Sequence, residues 1–530
     1  MNFDTKSNIV VLSDVHIGTN QPTCWYQASV HEPYLIAILQ WVKDNAASID
    51  QLVLLGDLVD FWTYPCENAL PGFTDIIEAN PNIFGRIGAL GAAIDALGGE
   101  VYYLTGNHDM NVTAADIGEI VSPQGHSPKF LDVGNGLDEL GFYQPMLPSG
   151  APSGIALGHG HYYTLFNAPD ENTSWEPMPV GHFVTRMIAS HWARTLQPGQ
   201  TVADLPGQGA PMGITMLPFL LATLSEPWKS GGNNANIPAL LLNWVAGQMG
   251  WNDTHPIVML DGGTTTLDEV KTVYQNLWSN WAARQAALMN SPEAGQIAAY
   301  KAALADALAW YLGWFAQQAS IQNGYDLVVM GHTHVPIAGM TGGVINYVNS
   351  GFECPSVPDM GTQQISFAVI DRDTKQTTLL QARKSSSGPI EIVPCPAASV
   401  SPVPPPAMDF SCYITIENNQ GFPLTLTGST IGHGYLTGPL PQQIAPNSVA
   451  RIWLTDYPGG HGSDGSVTYQ YPGGASYTFA FDCPTGVLPN TCSGGSWFKT
   501  KAGDPNGPWG PIGSIARYGH PFSVTFGVES

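Results

Sequence analysis

The chain has 530 residues, enough for two to four domains at roughly 150 residues each. Only 11% of them are charged and the formal net charge is -24, so the surface repels phosphate backbones and nucleic acid is not expected as a partner. Seven cysteines without a C-x-x-C spacing exclude a disulfide scaffold and a zinc finger. Cys483 and Cys492 could pair in an oxidising compartment or remain buried thiols.

The first part of the chain alternates strands with helices. Apolar, β-branched runs predict strands at 8–12, 51–55, 101–104 and 154–157. Helical patterns near 33–45, with Pro33 at the first helical position, and near 81–97 separate the first three. This rhythm predicts a largely parallel sheet with helices on its faces. If the backbone stays extended beyond the first strand, Asp14 and His16 point to the same side.

A long segment then interrupts the strand pattern. Residues 165–325 are rich in aromatic residues and helical patterns, and Thr266 and Glu269 predict a capping box at the start of one helix. Strands are predicted again at 326–330, 344–349, 365–370 and 377–382. We therefore predict a discontinuous α/β unit, formed by residues 1–164 and 326–384, with a helical insertion or lid at 165–325.

The remaining chain has a different composition. Residues 385–410 are rich in Ser and Pro, which predicts a stiff, extended linker. From 411 to 530, alternating polar and apolar runs between Gly and Pro turns predict a small antiparallel β-sandwich. Aromatic residues of this module could fill its core or stand exposed on its surface: Tyr457, Tyr469, Tyr471 and Trp497.

Five predicted strand ends carry oxygen or imidazole donors and no sulfur. The donor residues are Asp14, His16, Asp57, Asn107, His159, His332 and His334. Open α/β sheets bind ligands at the carboxyl ends of their strands, so these side chains are expected in one crevice. Such donors suit Mn, Fe, Zn, Ni or Co. They exceed the needs of a single ion with an open position, and they fit two ions that share a carboxylate.

The motifs that hold these donors resemble a known family. Asp14-x-His16, Gly56-Asp57-x-x-Asp60, Gly106-Asn107-His108-Asp109, Gly158-His159-Gly160-His161 and Gly331-His332-x-His334 are similar to the signature of the calcineurin-like metallophosphoesterase superfamily. The resemblance implies a four-layer α/β/β/α sandwich of two mixed sheets with a di-metal site. It implies one ion held by Asp14, His16, Asp57 and His334, and a second held by Asp57, Asn107, His159 and His332.

The implied activity is hydrolysis of a phosphate ester by metal-activated hydroxide. His108 resembles the family histidine that protonates the leaving oxygen, and Asp60 resembles the carboxylate that orients it. Turn capping is the alternative role for Asp60 and Asp109. His159 is assigned as the ligand because the first histidine after this strand is the usual one in the family, and His161 is the alternative ligand. If His159 is the ligand, His161 is a candidate for contacts with the substrate, as is Arg186, for which a surface ion pair is the alternative.

The substrate class is inferred from the two other regions. The insertion begins after His159 and ends before His332, and its apolar content suits a bulky or apolar leaving group. The C-terminal module is loosely similar to the aegerolysin and actinoporin-like sandwiches, which engage membrane lipids, at 413–419, 441–448 and 462–469. We predict a phospholipid or similar amphiphilic phosphodiester as substrate and a lipid or membrane surface as partner.

Other substrates and functions remain open at this stage. A soluble phosphomonoester or nucleotide is the alternative substrate, and a toxin-like lipid-binding protein with an accessory phosphoesterase is the alternative function. The sequence does not separate a cytoplasmic protein from one exported after loss of a signal.

Overall fold

The computed structural model describes residues 6–169, 178–205, 236–289, 292–306, 310–340, 346–358, 364–385, 388–400, 410–456, 462–486, 488–503 and 508–529. Its helices are α1 (Ala28–Asp44), α2 (Phe73–Ala79), α3 (Pro81–Phe84), α4 (Ala89–Ala96), α5 (Ala114–Ile117), α6 (Val180–Thr195), α7 (Ile237–Met249), α8 (Leu267–Val273), α9 (Leu277–Met289), α10 (Pro292–Ala305) and α11 (Trp310–Asn323). Among the described residues, none of these helices has the length and apolar character needed to cross a membrane.

The strands before residue 401 are β1 (Asn8–Leu12), β2 (Ile49–Leu55), β3 (Val101–Leu104), β4 (Lys129–Phe130), β5 (Asp132–Val133), β6 (Gly136–Leu137), β7 (Ile155–Leu157), β8 (Ile257–Val258), β9 (Thr264–Thr265), β10 (Leu327–Met330), β11 (Ile337–Met340), β12 (Asn346–Asn349), β13 (Ser366–Asp371), β14 (Thr377–Lys384), β15 (Ile390–Pro394) and β16 (Ala398–Val400). Those after it are β17 (Cys412–Asn418), β18 (Leu424–His433), β19 (Tyr435–Leu436), β20 (Gln443–Ile444), β21 (Ser448–Thr455), β22 (Ser463–Gln470), β23 (Ser476–Cys483), β24 (Thr491–Ser493), β25 (Trp497–Ala502) and β26 (Phe522–Val528).

Two sheets face each other across one apolar layer and form the α/β unit. The larger has the order β15-β14-β13-β1-β2-β3-β4, parallel from β1 to β4 and antiparallel from β1 to β15. The smaller has the order β16-β11-β12-β10-β7. Val11 and Val53 of the larger sheet pack with Leu157 and Val329 of the smaller one. Helix α1 covers the outer face of the larger sheet and α11 that of the smaller. The predicted two-sheet α/β/β/α sandwich is confirmed.

Two predicted helices have different bounds in the structure. Helix α1 begins at Ala28 rather than Pro33, because the side chain of Asn20 accepts a hydrogen bond from Ala28 N at 2.8 Å and satisfies the helix start. The helix predicted at 81–97 is broken into α3 and α4. At the break, a Cβ on Gly88 would lie 2.5 Å from the carbonyl oxygen of Ile83, so the chain needs glycine there.

Part of the predicted linker is folded into the α/β unit. Strand β15 pairs with β14, and β16 pairs with β11 of the smaller sheet. Ile390 and Ile392 pack against the apolar cluster of the larger sheet. The prediction of an extended linker over 385–410 is therefore wrong for these two strands, since alternating apolar residues let them join the sheet edges. Residues 401–409 lie outside the described part of the chain.

The C-terminal residues form two packed five-stranded sheets, as predicted, with the orders β19-β21-β17-β26-β25 and β20-β18-β22-β23-β24. The pairing is not wholly antiparallel, because β26 runs parallel to β17 in the middle of its sheet, where every residue of β26 is buried. Tyr469 is buried in the core, and Tyr471 and Trp497 are partly buried. Tyr457 lies outside the described residues. Cys483 and Cys492 are both buried, and no disulfide joins them.

The helical insertion has its own apolar core and contacts both neighbouring units. The predicted capping box is present, with Thr266 accepting a hydrogen bond from Glu269 N. Trp314 of α11 packs on Trp453 of β21, with ring centroids 5.7 Å apart. The insertion is therefore in contact with the C-terminal sandwich as well as the smaller sheet.

Candidate metal centre

The predicted donor side chains meet at one edge of the two sheets. They follow the carboxyl ends of β1, β2 and β3 in the larger sheet and of β7 and β10 in the smaller one. Three groups of residues have potential ligand atoms within 4.8 Å of one another: Asp14, His16 and His334; Asp57, His159 and His332; and His16, Asp57 and His108. The first two groups contain six of the seven predicted donors.

Asp57 lies between the two main groups. Its Oδ2 is 3.1 Å from His159 Nε2 and 3.8 Å from His16 Nε2. Its Oδ1 accepts a hydrogen bond from the backbone N of His108 at 2.7 Å, which fixes the carboxylate. Asn107 Oδ1 is 3.2 Å from His159 Nε2 and 2.9 Å from His332 Nδ1. The Asp57 carboxylate thus contacts histidines of both main groups, and the neutral amide of Asn107 contacts the two histidines of the second group.

The backbone is left-handed at five of the seven predicted ligands. The φ angles are 58° at Asp14, 56° at His16, 52° at Asp57, 70° at His332 and 60° at His334. The condition of an extended backbone at Asp14 and His16 is therefore not met, because β1 ends at Leu12 and a tight loop follows. Non-glycine residues rarely adopt this conformation, and it clusters at sites where surrounding structure enforces it for function.

Glycines of the motifs allow the donors to approach each other. A Cβ on Gly56, whose φ is 83°, would lie 2.5 Å from His159 Nδ1. A Cβ on Gly331 would lie 2.6 Å from a carboxylate oxygen of Asp14. These glycines are required because the two sheets bring backbone and ligand side chains into direct contact.

Three of the histidines direct one ring nitrogen into the site and bond the other to an acceptor outside it. His16 Nδ1 is 3.0 Å from Asp60 Oδ2, and His159 Nδ1 is 2.8 Å from the carbonyl oxygen of Leu55. His332 Nε2 is 2.7 Å from Asp306 Oδ1. An acceptor on the outer nitrogen holds the proton there and leaves the inner lone pair for a metal ion, which is the arrangement that metal-binding histidines need.

His108 lies next to the predicted donors and is packed between an acidic partner, Asp60, and two tryptophan rings. Its Nδ1 is 3.0 Å from Asp60 Oδ2, and its ring stacks on Trp62 at 4.3 Å. Trp25, which is partly exposed, also packs against the His108 ring, with the ring centroids 5.1 Å apart. Asp60 also accepts backbone hydrogen bonds from Trp62 and Thr63, at 2.6 and 3.1 Å. Asp60 therefore both caps its own turn and orients His108 and His16.

The carboxylate of Asp109 stabilises the turn that carries the donor Asn107. Its carboxylate accepts hydrogen bonds from Gly106 N at 2.5 Å, Leu58 N at 3.1 Å and the Tyr103 hydroxyl at 2.5 Å. These contacts join the loops after β2 and β3, so Asp109 supports the turn on which Asn107 and His108 lie.

Burial and neighbouring charges shift the pKa values of several side chains in the cluster. Burial raises the pKa of the Asp14 carboxyl to about 7. Burial opposes the charged form of His159, but the adjacent Asp57 outweighs it and raises the pKa of His159 to about 9. Asp60 is also buried, yet His108 and His16 keep its pKa below the usual value. Buried carboxylates and imidazoles packed this closely are a donor set that suits divalent cations, so the residues present fit such ions.

The two predicted substrate contacts have different environments from those expected. Arg186 is fully buried, and its guanidinium donates to the carbonyls of Tyr64, Pro65, Asn68 and Val258. These bonds fix α6 to the loop after β2. Arg186 therefore has a structural role, and neither the predicted substrate contact nor the alternative surface ion pair describes it. His161 is also buried, with its ring 5.4 Å from that of His159, and it lies outside the metal-binding groups.

Other residues at the site were not predicted from the sequence. Trp25 and Trp62 pack on His108, and Asp306 bonds to His332. Trp62 lies two residues after Asp60, so its position beside the motif was a usable signal. Trp25 and Asp306 reach the site only through folding, since neither adjoins a donor motif in the sequence.

We compared the chain with protein families and with solved structures. Residues 7–204 match the family model described as calcineurin-like phosphoesterase. A solved structure, the RahU protein in complex with a Tris molecule, is 16% identical and covers 24% of this chain and 98% of its own, with a TM-score of 0.18. A likeness with so low a TM-score carries no argument. No curated protein matches the chain.

Proposed function

We propose that the chain hydrolyses an amphiphilic phosphodiester at the site around Asp57. Residues 7–204 match the calcineurin-like phosphoesterase family, whose members are metal-dependent phosphoric ester hydrolases. We further propose that two divalent ions bind there, one at Asp14, His16, Asp57 and His334 and the other at Asp57, Asn107, His159 and His332. The observation that carries this is the convergence of both donor groups on the single Asp57 carboxylate.

The ions, when bound, lower the pKa of a water molecule and neutralise charge on the phosphoryl oxygens. The chain contributes the rest. The strained loops and the glycines hold the donors in place before substrate arrives, so little rearrangement is needed during the reaction. His108 is the general acid of the proposal, because Asp60 holds its Nδ1 and leaves Nε2 to donate a proton to the leaving oxygen.

The preference for an amphiphile rests on two surfaces. Above the site, Trp25 presents a partly exposed indole next to His16 and His334, which suits an apolar group beside the phosphate. On the C-terminal sandwich, Ile512 and Tyr518 are 72% and 66% exposed and Trp509 is 38% exposed. Such residues on one module favour a targeting role at an anionic lipid surface.

Cations accompany these exposed residues. Lys499 and Lys501 lie 5.7 and 4.6 Å from the Trp509 ring, although the whole chain has only 18 Lys and Arg residues. Together they would place positive charge against anionic headgroups while the aromatic and aliphatic side chains enter the interface.

A substrate panel tests the catalytic proposal. The purified chain, loaded with Mn²⁺, would be assayed on bis(para-nitrophenyl) phosphate, para-nitrophenyl phosphate and a phospholipid in vesicles. We expect the diesters to be hydrolysed faster than the monoester and the phospholipid to have the highest kcat/KM. A higher kcat/KM on the monoester or on nucleotides would favour the soluble substrate instead.

Vesicle sedimentation tests the targeting proposal separately. The change of Trp509→Ala with Ile512→Ser should remove binding to anionic vesicles while hydrolysis of the soluble diester is unchanged. Phe422→Ala, an exposed aromatic elsewhere on the sandwich, is the matched control and should bind as the original chain does. Binding that survives the double change would contradict this use of the surface.

A further inference from the structure

A carboxylate of the insertion contacts a histidine of the candidate metal centre. Asp306 follows α10 directly, and its Oδ1 lies 2.7 Å from His332 Nε2. The same oxygen accepts a hydrogen bond from Asn167 Nδ2 at 3.1 Å. The carboxylate is 24% exposed, while the His332 side chain is 5% exposed. A histidine buried at the site is thus bonded to a carboxylate from a different region of the chain.

The contact uses the nitrogen of His332 that faces away from the donors. Nδ1 of the same ring is 2.9 Å from Asn107 Oδ1, within the group that includes Asp57 and His159. A carboxylate on Nε2 keeps the ring proton on that nitrogen and leaves the Nδ1 lone pair directed at the group. It also fixes the rotation of the ring.

Packing determines where Asp306 lies. The last turn of α10 is buried, and Ala305 belongs to the apolar cluster that joins the insertion to Val328 and Met330 of β10. The carbonyl oxygen of Ala302 accepts a hydrogen bond from Leu165 N at 3.1 Å, which links α10 to the start of the insertion. The helix end is therefore held against the strand that leads to His332.

We propose that Asp306 is a positioning residue that orients His332 and fixes the tautomer of its ring. The affinity for one of the two proposed ions then depends on the insertion. This rests on the proposed di-metal function and deepens it. The other two histidines with an outer acceptor receive it from the α/β unit, namely from Asp60 and from the carbonyl of Leu55. The hydroxyl of Thr164, also in that unit, is a longer contact of His332 Nε2 at 3.3 Å, so the 2.7 Å contact with Asp306 is the shorter of the two. The insertion is then a structural part of one metal site as well as a cover for it.

Calorimetric titration of the chelator-treated full chain with Mn²⁺ tests the proposal. The original chain should bind two ions. In Asp306→Ala, one binding event should weaken by about 10- to 100-fold, the usual effect of losing an outer partner of a metal-binding histidine, and the other should keep its Kd. Asp306→Glu should restore much of the lost affinity. Asp268→Ala removes an exposed carboxylate of the same insertion and should titrate as the original chain does.

Thermal unfolding of the metal-free variants separates positioning from folding. Asp306→Asn keeps the size of the side chain, removes its charge and provides a second variant if Asp306→Ala does not fold. We expect Asp306→Asn to weaken the same single event. Two events with the original affinities in a folded Asp306 variant would overturn the proposal, as would equal weakening of both events together with a lower Tm. A chain that binds no pair of ions and does not hydrolyse phosphate esters would instead contradict the proposed function itself.

Discussion

The α/β unit and the helical insertion both support the candidate site, but they do so differently. Asp60 of the α/β unit is completely buried, accepts two backbone hydrogen bonds within its own turn and contacts two histidines. Asp306 of the insertion is 24% exposed, and its described partners are the side chains of His332 and Asn167. The first contact is built into a strand-end loop, whereas the second depends on how two regions pack. Changes in the two regions should therefore have different consequences.

The largest effect is expected in the α/β unit, at the carboxylate between the two groups. Asp57→Asn removes the charge shared by both proposed ions, so hydrolysis should fall to the background of the assay and fewer than two Mn²⁺ ions should bind. Turnover at saturating Mn²⁺ and metal content after desalting measure both effects. Unchanged turnover in Asp57→Asn would rule out the di-metal mechanism.

The next effect concerns the proposed general acid. His108→Gln should lower kcat by about 10²- to 10⁴-fold, the usual contribution of general acid catalysis, and should lower it most for substrates with poor leaving groups. Mn²⁺ stoichiometry should stay at two. His126→Gln changes a part-buried histidine elsewhere and is the control. Equal loss of kcat for good and poor leaving groups would argue against proton transfer by His108.

In the insertion, the strongest effect should be on stability rather than chemistry. Arg186→Met leaves buried carbonyls without their donor, and each such group costs roughly 1–3 kcal/mol, so unfolding free energy should fall by about 3 kcal/mol or more. Chemical denaturation measures this loss. Arg194→Met, which changes an exposed arginine on the same helix, should have little effect. An Arg186→Met chain of unchanged stability but raised KM would instead support the sequence-based prediction that Arg186 contacts the substrate.

The smallest effect is expected at the second partner of Asp306. Asn167→Ala removes its 3.1 Å hydrogen bond to Asp306 but keeps the contact between Asp306 and His332, so the proposed Mn²⁺ site that includes His332 should lose less than about tenfold in affinity, below the usual loss for a direct partner. The same calorimetric titration detects it. A loss equal to that of Asp306→Ala would mean that the packing of the insertion matters more than the single carboxylate.

The same contrast explains which parts of the molecule could be predicted from the sequence. The mixed two-sheet fold was predictable because short apolar runs ending in Gly, Asp, Asn and His repeat along the chain, and parallel strand ends lie at one edge. The donors adjoin those runs, so they could be named. Asp60 could be named as well, since it lies in the same motif as Asp57.

Features that depend on packing between distant segments could not be predicted. The left-handed backbone at Asp14 and His16 lies in a loop whose amides donate to the carbonyls of Gly56 and Asp57, at 3.1 and 2.8 Å, and periodicity does not reveal such a pairing between loops. Arg186 carried a charge that suggested phosphate, but its partners are carbonyls of another loop. Asp306 lies 26 residues before His332 in a helical region, and only the folded insertion brings the two together.

The most direct measurement of the central claim is the metal content and phosphodiesterase activity of one preparation of the full chain, before and after chelation. The structure leads us to expect two Mn²⁺ ions per chain, hydrolysis of bis(para-nitrophenyl) phosphate, loss of both on chelation and return of both when Mn²⁺ is restored. Hydrolysis that persists in fully chelated protein, or a chain that binds fewer than two ions when fully active, would contradict a shared two-ion site at Asp57.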